Sequence, residues 1–164
     1  MANYQDVPYE ELPEEQQDAV KSLVSSTFDN ITAMTPEMRE SMTTICYQQL
    51  EPELREMDVE EFGCSSYYEF LCQIVLAAAA VDNEFSLAEE EAVDEIMKTL
   101  GLLGQPYEGD IAKMERINLD LVELSRKLKP TLRGMLMTFV SLIFLCDKEL
   151  ADEEKDAMIH ILAP

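Results

Sequence analysis

The sequence predicts an all-α protein, a single-domain bundle of about seven or eight helices. Apolar residues recur every three or four positions along most of the chain, which is the spacing of one face of a helix. No window shows the sustained alternation of apolar and polar residues, flanked by turn residues, that indicates a strand. The 164 residues are enough for one domain with a sizeable core and too few for two comfortable ones.

Prolines mark the starts of the first two predicted helices. Residues 1–12 form an acidic lead-in, and Pro13 suits the first turn of a helix that runs to about residue 34. Thr35 suits the cap of a second helix and Pro36 its first position, so this pair predicts where that helix begins. The apolar face of the second helix is predicted to consist of Met38, Met42, Ile45, Cys46 and Leu50.

Further helix breakers and caps divide the middle of the chain. Pro52 should end the second helix, because a proline ring removes a backbone donor and clashes with the preceding turn. An acidic helical piece that ends at Gly63 is predicted after it. Two capping boxes, Ser66–Glu69 and Ser86–Glu89, then begin a helix each. Those helices are predicted to end at residues 81 and 100.

Three more helices are predicted in the last third of the chain. Residues 101–109 contain glycines and a proline and predict a loop. An amphipathic helix is expected over residues 110–128, followed by one that begins at Pro130 and ends near Cys146. Asp152 is expected to cap the last helix.

The two longest apolar runs, residues 70–81 and 134–146, are predicted to be core helices. Both are shorter than the roughly 18–20 residues that a membrane-spanning helix needs. They also carry polar side chains, namely Gln73, Thr138 and Ser141. We therefore expect no membrane span.

The charge of the chain narrows the classes of partner. Its 12 basic and 34 acidic residues give a formal net charge of −22. Direct binding to DNA, RNA or an anionic membrane needs a basic patch, so none of these is expected. The acidic excess instead predicts a protein partner with a basic surface. The alternative is that the excess only keeps the protein soluble. The residues point to no particular oligomeric state.

Cysteine usage predicts a cytoplasmic protein. The N-terminus is acidic rather than basic followed by apolar residues, so no signal peptide is expected. The cysteines show no paired spacing and lie mostly in apolar helical context, which favours reduced, buried thiols. They are Cys46, Cys64, Cys72 and Cys146.

Few residues are suited to catalysis. The sequence has a single histidine, His160. A histidine-rich zinc site needs more than one, and a Ser-His-Asp triad would have only this residue as its base. Asp156 precedes it by four positions and is expected to form a surface pair with it. The glycines form no phosphate-binding loop. We expect no enzymatic activity, no catalytic residues and no organic cofactor.

An internal repeat is the most specific feature of the sequence. Residues 70–97 align without gaps on residues 135–162, an offset of 65 positions. Each copy contains an apolar helix, an acidic corner and a second helix. The corners contain Asp82, Glu84, Phe85 and Glu89 in the first copy, and Asp147, Glu149, Leu150 and Glu154 in the second.

These two corners resemble the TerB-like family, which is named for a tellurite-resistance protein and also occurs as a domain of some membrane-anchored co-chaperones. Family members are all-helical and carry the Asp-Gly-Glu-apolar-Ser pattern twice. The resemblance covers about residues 68–162. It implies a TerB-like domain over 67–164, preceded by an acidic helical extension, residues 1–66, that packs on the same core. The family glycine is Asn83 in one copy and Lys148 in the other.

The resemblance implies a non-enzymatic accessory module, related to stress, that binds a protein. Its acidic corners also suggest a divalent cation, calcium or magnesium, since hard cations prefer several carboxylate oxygens. Helix capping and the helix dipole account for acidic residues at the same places, so both interpretations stay open. The expected ligands are Asp82, Glu84, Glu89, Asp147, Glu149 and Glu154.

A different class of function also fits the charge. A strongly acidic protein can mimic a nucleic acid and occupy the basic surface of a DNA- or RNA-binding protein, which it thereby inhibits. The internal repeat argues against this alternative, because a mimic needs phosphate-like spacing of charges rather than a duplicated hairpin. The two hypotheses differ in the partner that they predict.

A calcium titration followed by calorimetry tests the cation hypothesis. The cation hypothesis predicts binding heat with the unsubstituted protein, and less heat after Asp82→Asn or Asp147→Asn because each removes a carboxylate ligand. The absence of heat from the unsubstituted protein at millimolar calcium would leave helix capping as the role of these residues.

Overall fold

The computed structural model describes residues 8–79, 95–98, 117, 119–144 and 152–164. Within these ranges the regular structure is entirely helical, with six α-helices and two short 3-10 helices, which confirms the predicted all-α fold. Residues 95–98 are helical as well. The α-helices are α1 (Glu14–Thr32), α2 (Pro36–Glu56), α3 (Tyr67–Ala79), α4 (Leu121–Lys127), α5 (Pro130–Phe144) and α6 (Asp152–Leu162). The 3-10 helices are Tyr9–Glu11 and Val59–Phe62.

Helix α5 lies at the centre of the bundle. Among the described elements, each of the other five α-helices contacts it. Its side chains Leu136 and Val140 are fully buried, and Phe139 is nearly so. Burial of a side chain of this size contributes about 1.5–3 kcal/mol to stability, so α5 supplies a large part of the hydrophobic driving force.

Helix α3 is the partner of α5 in the sequence repeat, and the two helices are buried alike. The aligned residues Leu71 and Leu136 are both fully buried, and so are Val75 and Val140. The two helices also contact each other directly. No helix within the described residues is long and apolar enough to cross a membrane.

The first two helices contribute to the same hydrophobic core. Val24 and Phe28 of α1 and Tyr47 and Leu50 of α2 belong to one cluster with the buried residues of α3 and α5. The described part of the acidic extension therefore packs on the core that α3 and α5 form. The division of the chain at residue 66 stays a prediction.

The prediction that Pro52 ends the second helix is wrong, because α2 continues through Pro52 to Glu56. Tertiary contacts hold its final turn. Leu54 is buried in the core, and Glu53 accepts the backbone N–H of Lys129 (3.0 Å) and pairs with the ammonium of the same residue (3.2 Å). These contacts offset the cost of a proline inside a helix, about 3 kcal/mol in an isolated one.

The acidic piece predicted after Pro52 is therefore divided between two elements. Its first residues complete α2, and a 3-10 helix, Val59–Phe62, follows. Gly63 ends this 3-10 helix, as predicted, with a φ of 82°. Glycine adopts this left-handed backbone without the steric cost that a side chain would add.

The predicted helix over residues 110–128 is confirmed over Leu121–Lys127 and is wrong at the described residues before it. Ile117 is not helical, and α4 begins only at Leu121. The side chain of Asp120 caps α4 by accepting the backbone N–H groups two and three residues later (3.0 and 3.2 Å). A strong cap in the middle of an apolar periodic segment therefore decides where the helix begins. Residues 110–116 and 118 lie outside the described ranges.

Candidate functional site

Five of the six acidic residues predicted to bind a cation lie outside the described ranges. They are Asp82, Glu84, Glu89, Asp147 and Glu149. Glu154 is described: it lies near the start of α6 and is only 3% exposed. Among the described residues, no group of three or more His, Cys, Asp or Glu side chains is arranged to hold a metal ion. The cation site stays a prediction.

The described cysteines are buried, free thiols. Burial raises the pKa of Cys46 to about 11 and, as the largest influence, that of Cys72 to about 11. The pKa of Cys64 is raised as well, by burial and by the charge of Glu69. A thiol with a raised pKa is protonated at neutral pH and is a poor nucleophile, so these three cysteines act as small core side chains. Cys146 lies outside the described ranges.

The apolar face predicted for the second helix is confirmed at Cys46 and Leu50, which are buried, and is wrong at Met38 and Ile45. The side chains that α2 buries are Thr43, Cys46, Tyr47, Leu50 and Leu54. Met38 and Ile45 are instead 54% and 47% exposed. With about 3.6 residues per turn, these two residues point roughly half a turn away from the buried face. Met42 lies between the two faces and is half-buried.

These exposed side chains form a shallow groove on α2, here named the α2 groove. Its volume is about 330 Å³. Methionine is flexible and polarisable, and surfaces rich in methionine adapt to different partners. The ten methionines of the sequence therefore include some that do not serve the core. The groove is lined by Met34, Glu37, Met38, Ser41, Met42 and Ile45.

Helix α2 holds this groove on a rigid support. On its inner side, the hydroxyl groups of Tyr47 and Tyr67 form a hydrogen bond of 2.8 Å that joins α2 to α3. Burial, as the largest influence, raises the pKa of both phenols. The guanidinium of Arg55 lies 4.2 Å from the centre of the Tyr67 ring. A binding surface on a helix that is fixed in this way loses little conformational entropy when a partner binds.

Carboxylates of α2 fall into two groups. Glu51 pairs with Arg55 (3.4 Å) and Glu53 with Lys129 (3.2 Å), so both are engaged within the fold. The others are exposed to solvent and are available to an outside cation or basic group. The exposed carboxylates of α2 that form no ion pair within the described residues are Glu37, Glu40 and Glu56.

A second feature joins the two ends of the described chain. The segment of residues 8–12, here named the terminal strap, lies against α6. The backbone N–H of Tyr9 donates to the carbonyl of Ala163 (3.2 Å), and the amide of Gln17 donates to the carbonyl of Tyr9 (2.8 Å). The edge of the Tyr9 ring also packs against the ring of His160.

His160 is the charged contact of the terminal strap. Its Nδ1 lies 2.8 Å from the backbone oxygen of Asp156, and its Nε2 lies 2.5 Å from a carboxylate oxygen of Glu10. Both partners are acceptors, so only the doubly protonated ring donates to both. Burial disfavours this charge, but the contacts with Glu10 and Asp156 outweigh burial and raise the pKa of His160. The hydrogen bond from His160 lowers the pKa of Glu10.

The predicted pair of Asp156 and His160 is confirmed, with 3.5 Å between a carboxylate oxygen and Nδ1. No motif or helical spacing in the sequence singles out Glu10. The two members of the Glu10–His160 pair are 150 positions apart, and no local pattern connects them.

An apolar cavity of about 310 Å³ lies beside the terminal strap, between α1 and the adjoining ends of α5 and α6. Arg133, which is 5% exposed, is part of its wall and donates from Nε to the carbonyl of Ser125 (3.1 Å). The hydroxyl of Ser125 donates in turn to the carbonyl of Ile161. These bonds join α4, α5 and α6 beneath the cavity. It is lined by Leu12, Gln16, Ala19, Val20, Leu23, Pro130, Arg133, Leu162 and Ala163.

In comparisons with known proteins, no protein-family model, no curated protein and no solved structure matches this chain. The TerB-like resemblance stays a prediction that depends on the residues of the two acidic corners.

The contact between His160 and Glu10 predicts that the terminal strap is sensitive to pH. The raised pKa of His160 means that its contribution to stability is complete below its ordinary value of 6.5 and is lost as the pH rises through the folded-state value. The lowered pKa of Glu10 means that its contribution is present above 4.5 and is lost as the pH falls through the folded-state value. The strap is therefore held most firmly between these two folded-state values.

Hydrogen exchange at the amide of Tyr9 measures this effect directly, since that amide bonds to Ala163. We expect its protection, corrected for the intrinsic exchange rate, to fall as the pH rises through the folded-state pKa of His160. His160→Gln should abolish the pH dependence, whereas Glu11→Gln, beside the contact, should preserve it. An identical pH profile in His160→Gln and the unsubstituted protein would contradict the account.

Proposed function

We propose that this protein is a non-enzymatic interaction module that binds a partner protein with a basic surface. The observation that carries the proposal is the distribution of charge on the outer side of the bundle. Residues 1–82 contain 3 basic and 17 acidic residues. Exposed carboxylates are present along α1 and α2, among them Glu14, Glu15, Asp18, Glu40 and Glu56.

The positions of the three basic residues among residues 1–82 support the proposal. Arg55 is engaged with Glu51 and with the ring of Tyr67, so it offsets little of the surrounding negative charge. Lys21 is exposed on α1 and Arg39 is half-buried on α2. A surface with such an excess of one sign attracts oppositely charged partners and accelerates their association, most strongly at low salt.

Membership of the TerB-like family and a role as a stress-related accessory protein belong to the same proposal. Cation binding at the two acidic corners also belongs to this proposal. The corners would then be a second acidic binding site, in addition to the carboxylates of α1 and α2. The common burial of α3 and α5, the first helices of the two repeats, supports a duplicated hairpin. The proposed cytoplasmic location is supported by the free thiols of Cys46, Cys64 and Cys72.

Affinity capture with the immobilised chain, from a lysate of its source organism, tests the proposal. We expect a main partner that carries a basic surface and elutes when salt is raised, because added salt screens charges that are more than about 8–10 Å apart. The double variant Glu40→Gln, Glu56→Gln should retain less of this partner. Lys21→Gln, which changes the charge in the opposite direction, should retain at least as much.

The outcome also separates the two classes of function. A partner that duplex DNA or RNA displaces in competition would favour the nucleic-acid mimic over the accessory module. Retention that is insensitive both to salt and to Glu40→Gln, Glu56→Gln would contradict a charge-based interaction altogether.

A further inference from the structure

We infer that the α2 groove binds an amphipathic helix of a partner protein, with its apolar face on Met38, Met42 and Ile45 and its basic residues facing Glu37 and Glu56. This inference rests on the proposed function and adds to it the surface and the kind of segment that is recognised. It follows from the length, the chemistry and the charge of the groove.

The length of the groove suits a short helix. Met34 lies in the turn before α2, and the helical part of the lining, from Glu37 to Ile45, covers eight positions, which corresponds to about 12 Å, or just over two turns, along a helix. Peptides that bind in helical form use apolar residues at positions i, i+3 or i+4, and i+7, which extend over a similar length. An extended strand would gain less, because α2 presents no free backbone edge to it.

The chemistry of the groove favours an apolar face over a polar one. Met38 and Ile45 expose about half of their surface although the core does not need them. Burying such side chains against a partner removes apolar area from water, at about 25 cal/mol per Å². The flexible methionines allow the groove to fit leucine, isoleucine or phenylalanine on the partner.

Charge decides which amphipathic helix is favoured. Glu37 lines the groove near the N-terminal end of α2. Glu56 follows Met38 by eighteen positions, about five turns, so it lies on the same side of α2 beyond Ile45. A bound helix with lysine or arginine near its ends would meet both carboxylates. A second copy of this chain is disfavoured, because each copy carries a net charge of −22.

A synthetic peptide tests the inference without knowledge of the natural partner. The probe is a fluorescein-labelled helix of about 18 residues, five turns, that carries leucine on one face and lysine on the other. A peptide of the same composition in scrambled order keeps the charge and removes the apolar face. We expect the amphipathic peptide to bind at least about tenfold more tightly than the scrambled one, by fluorescence anisotropy.

Two sets of variants locate the binding surface. Met38→Gln together with Ile45→Gln should weaken the amphipathic peptide about tenfold, since both side chains are exposed anchors. Leu23→Gln is the matched control, because Leu23 is also half exposed (50%) but lies on α1. It should change the affinity by less than about twofold. Circular dichroism should show equal helix content in all variants.

A second measurement tests whether the peptide covers the α2 groove in the unsubstituted protein. Hydrogen peroxide oxidises exposed methionines to the sulfoxide, and mass spectrometry of peptides reports each site. The bound amphipathic peptide should slow the oxidation of Met38, whereas the scrambled peptide should not. Buried Met137 should react slowly throughout and serves as the internal reference.

Equal affinity of the groove variant and the unsubstituted protein, or oxidation of Met38 at an unchanged rate, would overturn the inference. Failure of the amphipathic peptide to exceed the scrambled one would overturn it as well. None of these outcomes removes the charge-based proposal, which is decided by the salt dependence of the captured partner and by the Glu40→Gln, Glu56→Gln variant.

Discussion

Burial of helix α5 is the constraint on which the rest of the structure depends. Each of the other described α-helices contacts it, so its side chains must be apolar on nearly every side. The same requirement makes α3 apolar, since α3 packs against α5 and repeats its pattern. Within the described ranges, exposed charged residues lie on α1, α2, α4 and α6 and in the connections between helices. Burial of α3 and α5 therefore leaves charge at the surface, and the excess of 34 acidic over 12 basic residues makes the net charge of the chain negative.

Helix α2 has one side that packs on the core and one side, with the α2 groove, that faces solvent. Tyr47, Leu50 and Leu54 attach α2 to the core, and the bond between Tyr47 and Tyr67 fixes it to α3. The opposite side of α2 has no packing role, yet it carries Met38 and Ile45 where glutamine or lysine would be less costly to expose. Apolar residues at a place that the fold does not require are the main structural reason to propose binding at this face.

The sequence predicts the fold better than the site, for identifiable physical reasons. Apolar periodicity and N-terminal caps are local, so the fold class, the start of α2 and the start of α5 follow from them. The passage of α2 through Pro52 depends on Lys129, far along the chain. Periodicity places Met38 with Cys46 on one broad face, and only the positions of α3 and α5 decide which part is buried.

The central claim is that Glu40 and Glu56, two exposed carboxylates of α2, serve binding rather than folding. Urea unfolding of the double variant Glu40→Gln, Glu56→Gln tests it most directly. Glu56 lies in the last turn of α2, where the helix dipole disfavours a negative charge, and the net charge of −22 adds repulsion. The account predicts that the free energy of unfolding stays the same or rises. A decrease of more than about 1 kcal/mol would show that these carboxylates stabilise the fold and would contradict the claim.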